Sequence, residues 1–171
     1  MNKGKSILDQ NTIERTIRRL SYEIVEKNPE LSNVVLLGIP TRGVTLGKRI
    51  VKNISMIEGA NIPFERLDVS AYRDDEKRTP NKVLPDIDVN DKTVILIDDV
   101  LFTGRTIRAA MDAVIDLGRP ARIQVLVLVD RGHREFPISA NYIGKNIPTS
   151  IKETVTVNFI ENDQIDEVFI K

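Results

Sequence analysis

Cysteine is absent from the 171 residues. That removes disulfide staples and thiolate chemistry together, and it suits a reducing compartment. Net charge is absent too, with 25 Lys and Arg against 25 Asp and Glu, so a site for a polyanion must come from local clustering of cations. No apolar run approaches the ~20 residues of a membrane span. The opening MNKGKSILDQ holds none long enough for a secretory leader, so the expected location is the cytoplasm, with no membrane partner. Internal repeats and low-complexity tracts are missing. No stretch has the glycine spacing of a Walker A loop or a dinucleotide fingerprint. What remains is a chain that is 41% hydrophobic and of a length that favours one domain, residues 1–171.

The most informative stretch runs from Val94 to Thr106, VILIDDVLFTGRT. Val94-Ile95-Leu96-Ile97 is an unbroken apolar run of the kind a parallel sheet covers on both faces. Asp98 and Asp99 follow at its carboxyl end. Then come the turn Phe102-Thr103-Gly104-Arg105-Thr106 and an amphipathic helix, Ile107 to Leu117. Such a turn aims backbone N–H groups and two threonine hydroxyls at a phosphate, with the positive end of a helix behind them. Carboxylates beside that nest repel a phosphate. They suit something else on the same ligand, vicinal sugar hydroxyls or a divalent metal. With no ligand, the same residues read as a buried strand with a polar end and an ordinary capped helix.

The rest of the chain supplies matching parts. Asn11 to Lys27 places Ile13, Ile17, Leu20 and Ile24 on one helix face, with Asn11 and Glu14 as a relative of the capping box. Arg15, Arg18 and Arg19 ride on the other face, either a solvated surface or a polyanion contact. Val34 to Ile39 is a second buried strand. It feeds the loop Pro40-Thr41-Arg42-Gly43 and a helix carrying Val44, Leu46, Ile50, Val51 and Ile54, half of a βαβ unit. The loop offers an anion backbone N–H groups, a hydroxyl and a guanidinium; a plain turn is the alternative. Phe64 to Val69 reads as a partly exposed strand. The charged, proline-bearing segment 72–90 cannot bury much apolar area and is expected to be a mobile lid, with Arg73, Lys77 and Arg78 as its cations. Ile123 to Val129 is a third apolar run. Residues 141–150 read as a polar connection, Val155 to Phe159 as a strand, 161–164 as a turn, and Val168 to Ile170 as the last strand.

The DDVLFTGRT segment resembles the motif with which type I phosphoribosyltransferases bind 5-phosphoribosyl-1-pyrophosphate (PRPP). The resemblance implies the fold: α/β, a mainly parallel central sheet flanked by helices, with a small hood (about 131–171, with N-terminal contributions) and a mobile lid loop. It implies that Asp98 and Asp99 hold the ribose hydroxyls. The turn, from Val100 and Leu101 through Phe102, Thr103, Gly104, Arg105 and Thr106, would cradle the 5-phosphate. Thr41 and Arg42, with Arg73 from the lid, would meet pyrophosphate, and Mg²⁺ would arrive mainly on the PRPP, with Asp98 or Asp99 as its only side-chain contacts. Arg42, Asp98 and Asp99 are the catalytic candidates. Together with IPTRG, the stretch VDRGHREFPISANYIGKNIPTS is similar to the bifunctional pyrimidine-operon regulators that are also uracil phosphoribosyltransferases, over nearly the whole chain. That implies conversion of uracil and PRPP to UMP and pyrophosphate. It also implies uridine-nucleotide-dependent (UMP or UTP) binding of pyrimidine-operon leader RNA, a homodimer or higher homo-oligomer, and a base pocket between Asp130 and Ser150 to which Arg131 contributes. The RNA-facing candidates are Arg15, Arg18, Arg19, His133, Arg134, Lys145 and Lys152. The sequence departs from the purine enzymes at Phe102, where they carry an acid, so no general base is assigned. His133 is the only histidine and is read as structural, solvent-facing or RNA-facing. The segment 72–90 is shorter than its counterpart in that family. The alternative reading is a dedicated uracil or purine salvage enzyme with no RNA role.

Overall fold

Unbroken apolar runs on the buried strands call for helices on both faces of a sheet, and the computed structural model has that form. It describes residues 4–75 and 78–171; Lys77, expected on the lid, lies outside the described residues. In chain order the elements are β1 (Lys5–Leu8), α1 (Gln10–Lys27), β2 (Val34–Gly38), α2 (Arg42–Glu58), β3 (Phe64–Arg66), β4 (Thr93–Leu101), α3 (Arg105–Leu117), β5 (Arg122–Asp130), β6 (Tyr142–Asn146), β7 (Val155–Asn158), α4 (Ile160–Asp163) and β8 (Glu167–Ile170). Five strands form a sheet in the order β3-β2-β4-β5-β6, with every neighbouring pair parallel. A separate antiparallel sheet, β1-β8-β7, makes the hood.

The two faces of the large sheet sort by residue parity. Val34 and Leu36, Ile95 and Ile97, and Leu126 and Leu128 pack with α1, α2 and the hood residues Leu8, Val157, Phe159 and Val168. Val35 and Leu37, Val94 and Leu96, and Val125 and Val127 pack with Ile107, Ala110, Ala113 and Val114 of α3. The helix that follows β2 therefore lies on one face, and the helix that follows the adjacent β4 lies on the other. Where the chain switches faces between neighbouring parallel strands, a crevice opens beyond their carboxyl ends.

Four expectations need correction. Helix α1 begins one residue before Asn11; its N-cap is Asp9, whose carboxylate accepts the Thr12 N–H at 2.8 Å. The stretch 141–150 is more than a connection. Its residues Tyr142–Asn146 are edge strand β6, held because Tyr142 is fully buried and its hydroxyl bonds Asn28 and Gln124. The acidic pair does not follow β4 but lies within it, since β4 continues to Leu101 and pairs β5 at Asp98 and Val100. The segment 72–90 is seated over part of its length, because Val89 is fully buried and Leu84 and Ile87 pack on the α3 face. Its neck is closed where Thr79 N donates to Ser70 O at 3.1 Å.

Candidate functional site

The crevice beyond β2 and β4 brings the loop after β2 beside the acidic pair. Register pairs Gly38 with Ile97, so the loop after β2 lies directly beside Asp98 and Asp99. Gly43 makes that approach possible: a Cβ there would sit 2.4 Å from the Ile97 carbonyl oxygen and 3.2 Å from Asp98 Cα. The Pro40–Thr41 peptide in this loop is cis, and α2 starts at Arg42. Arg42 lies within the field of Asp99, and its guanidinium donates to Asp163 of the hood from Nε at 3.2 Å and Nη2 at 2.7 Å.

On the other side of β4 the chain turns through Phe102 and Thr103 to Gly104, whose φ of +90° is a conformation that glycine adopts at little cost. The loop carbonyls are directed away from the crevice: Phe102 O accepts from Arg134, and Thr103 O accepts from the N–H groups of Glu135 and Phe136. Thr103 Oγ1 accepts the Arg105 N–H at 3.2 Å. The first-turn amides of α3 have no carbonyl within their own helix. A cavity of about 210 Å³ opens here, lined by Arg73, Asp75, Asp98, Val100 to Arg105, Thr106 and Ile107.

Asp98 is buried, and Asp99 half-buried. Burial first, and the neighbouring Asp99 charge second, hold the Asp98 carboxyl well above the ordinary carboxylate range; Arg73 opposes this only weakly. Among the described residues no group of three or more His, Cys, Asp or Glu is gathered as a metal site. Asp98 and Asp99 offer carboxylate oxygens, the donor type that a hard divalent cation takes.

Each arginine expected from the sequence at a phosphate has a carboxylate partner in this structure. Arg42 holds Asp163, Arg73 holds Asp75, and Arg105 holds Glu135 at 2.8 Å and Asp74 at 2.6 Å. Each of these contacts occupies part of a guanidinium fork that can also take a phosphate. Sequence reasoning missed the partners because Asp163 and Glu135 are 121 and 30 residues away from the arginines they bond. Arg131 is also buried. It lies 3.9 Å over the Phe102 ring and donates to Ser150 O at 3.0 Å, with its Nε left without a partner. Burial lowers its pKa from arginine's ordinary value. Phe102 and Arg131 thus form one wall between the motif and residues 149–150, where the base pocket was expected.

The seven residues read as RNA-facing are divided by the fold. Arg19 donates to the carbonyls of Ile143 and Gly144, next to exposed Lys145, on edge strand β6. His133 meets Thr149 O, and Lys152 is exposed just beyond. Arg15 is exposed on α1. Arg18 instead faces α2, in a cavity of about 640 Å³ shared with Lys48, Arg49 and Lys52. Arg134 is half-buried and braces the motif loop, bonded to Asp130, Ile138 O and Phe102 O.

Comparison with known proteins agrees with this geometry. Residues 3–158 match the phosphoribosyl transferase domain family. A protein of Lactococcus lactis subsp. cremoris named bifunctional protein PyrR is 53% identical over 167 residues, covering 98% of this chain and 96% of its own length. The bifunctional protein PyrR of Oceanobacillus iheyensis is 55% identical over 175 residues, covering 98% and 97%. Among solved structures, the hypoxanthine phosphoribosyltransferase of Trypanosoma cruzi superimposes with a TM-score of 0.77 at 17% identity, covering 97% of this chain and 95% of that one. At that identity the likeness speaks for the fold alone.

Proposed function

The chain belongs to the phosphoribosyltransferase family, and on that footing we propose that it converts uracil and PRPP to UMP and pyrophosphate and also regulates pyrimidine genes by binding their leader RNA in response to uridine nucleotides. The observation that carries the enzymatic part is the carboxylate pair on β4, set between a loop that opens a helix on one face and a loop that opens a helix on the other. The names of the relatives, which match over nearly their whole length, support the regulatory part.

The reaction breaks the bond between the anomeric carbon and pyrophosphate, whose oxygen takes the electron pair. It forms the bond from uracil N1 to that carbon, and the N1 proton passes to solvent. Positive charge grows on the sugar as the leaving group departs. Asp98 and Asp99 hold the ribose hydroxyls and present negative charge to that sugar. The amides and hydroxyls of Thr103 to Thr106 fix the 5-phosphate, so the ring cannot swing out of line. Thr41, Arg42 and Arg73 meet the departing pyrophosphate. A Mg²⁺ ion bound with PRPP, for which Asp98 or Asp99 would be the side-chain contact, would supply further neutralisation there. Phe102 has no proton to exchange, so its part is to stack with Arg131 beside the base.

RNA would meet the β6 edge, where Arg19 and Lys145 lie, with His133 and Lys152 at the loop that follows the strand, and two copies in a homo-oligomer would double that surface. Such an assembly in the cytoplasm completes the reading. The experiment has two arms. Uracil, hypoxanthine and guanine are offered with Mg²⁺-PRPP; turnover with uracil alone is expected, and turnover with a purine base would make the protein a purine enzyme. Filter binding of pyrimidine leader RNA is then measured with and without UMP over a salt series. Binding strengthened by UMP is expected, with a log–log slope that falls by roughly 0.7–0.9 for each phosphate contact removed. No salt-sensitive binding would leave a salvage enzyme.

A further inference from the structure

Helix α2 is laced to the short hood helix and the turn after it along one face, at positions three and four residues apart. Thr45 Oγ1 donates to Asn162 Oδ1 at 2.7 Å. Arg49 donates to both oxygens of Glu161 and both of Asp166, with its guanidinium 4.7 Å over the Phe159 ring. Arg42, at the crevice end, donates to both oxygens of Asp163. The carboxylates are themselves fixed: Asp163 Oδ2 accepts the Phe159 N–H at 3.0 Å, and Asp166 Oδ1 accepts the Ile160 N–H at 2.8 Å.

We propose that Asp163 is a positioning residue, which holds Arg42 by one edge so that its other edge faces the leaving pyrophosphate. This rests on the reading of the Thr41–Arg42 loop as the pyrophosphate site. An arginine carries five N–H donors in a planar fork. Asp163 engages only the Nε–Nη2 edge, and the Nη1 edge is the one that can take a second anion in the same plane. Two effects oppose each other when Asp163 is replaced. Loss of its negative charge favours an incoming anion. Loss of its grip frees Arg42 to turn toward Asp99, whose charge it already feels, and a guanidinium drawn there would cover the ribose seat. Asp163 is one-fifth exposed and Arg42 one-third exposed, so water weakens the charge effect, whereas the orientation is lost outright. Orientation decides the outcome.

The test is calorimetric titration of Mg²⁺-pyrophosphate into the full-length protein and its variants, alongside KM for PRPP and for uracil. Asp163→Asn is expected to weaken pyrophosphate binding and raise KM for PRPP by roughly 10-fold, the usual scale for removing a partner that orients a binding group, with KM for uracil within about twofold. In an Arg42→Ala background the same substitution is expected to add nothing, because neighbours that act as one unit are non-additive. Asp166→Asn unlaces the same face at Arg49. It is expected to lower the melting temperature while leaving pyrophosphate affinity unchanged. Asp163→Ser is read on the same scale should Asp163→Asn not fold. The inference is overturned if pyrophosphate binds Asp163→Asn as well as or better than the parent, if the two losses multiply, or if Asp166→Asn weakens binding equally. If Arg42→Ala itself binds pyrophosphate normally, the reading of the loop fails instead, and the inference with it.

Discussion

Asp98 is where function and stability conflict most directly. A carboxyl this deeply buried beside a second carboxylate is unfavourable when charged, yet the proposed ribose grip needs it there. Because its folded pKa is raised, the folded chain keeps the Asp98 proton to a higher pH than the unfolded chain does. The associated stability is full below about pH 4, the unfolded carboxyl's value, and is lost as pH rises through the folded value. Asp98→Asn removes that loss and keeps an oxygen to accept the Asp99 N–H, now received at 2.9 Å. The variant is expected to melt above the parent at neutral pH, by about 2–4 °C for each kcal/mol regained in a domain of this size. That margin should shrink toward pH 4, while kcat/KM for PRPP falls at least about 100-fold. Calorimetric scans at pH 5, 6.5 and 8, paired with steady-state kinetics, check both halves. A variant less stable than its parent at pH 8 would mean that the Asp98 charge is well solvated.

At the scale of elements, the β2–α2 loop and β4 act as one piece because only glycine lets them touch. A methyl group on residue 43 would meet the Ile97 carbonyl at 2.4 Å, and neither backbone can yield without breaking the sheet register. Gly43→Ala is expected to cost about 1–3 kcal/mol, the range for overpacking, and to raise KM for PRPP while sparing RNA binding at the distant β6 edge. Denaturant melts and filter binding on the same preparation check this. The strands and helices that form this crevice were legible in the sequence, because apolar runs of four to seven residues alternate with amphipathic stretches. Strand β6 was not: Tyr142 is its one fully buried side chain, and Gly144, Lys145 and Asn146 carry no strand signal. Its place is set by pairing with β5, which no local pattern displays. The α1 cap was misplaced by two residues because Asp9 and Asn11 are both good caps.

For the whole molecule, the sequence foretold which residues meet at the crevice but not which partners they hold. Asp98, Asp99, Arg42 and the 102–106 turn are brought together by strand register. The pairing of Arg42 with Asp163, and the division of the cations between β6 and the α1–α2 groove, depend on how separate sheets and helices dock. Side chains more than 100 residues apart leave no periodic trace. That docking leaves two apolar layers back to back, one under α1, α2 and the hood, the other under α3, with β4 as the seam. PRPP seated as proposed, its 5-phosphate on one loop and its pyrophosphate on the other, would touch both layers, and so would act like a rivet driven through two plates. Adding PRPP should therefore slow amide hydrogen exchange in α2 and α3 together and to a similar degree, which mass spectrometry of peptic fragments can resolve, whereas UMP, which lacks pyrophosphate, should protect α3 more than α2. Protection of only one plate by PRPP would show that it is fastened on a single side.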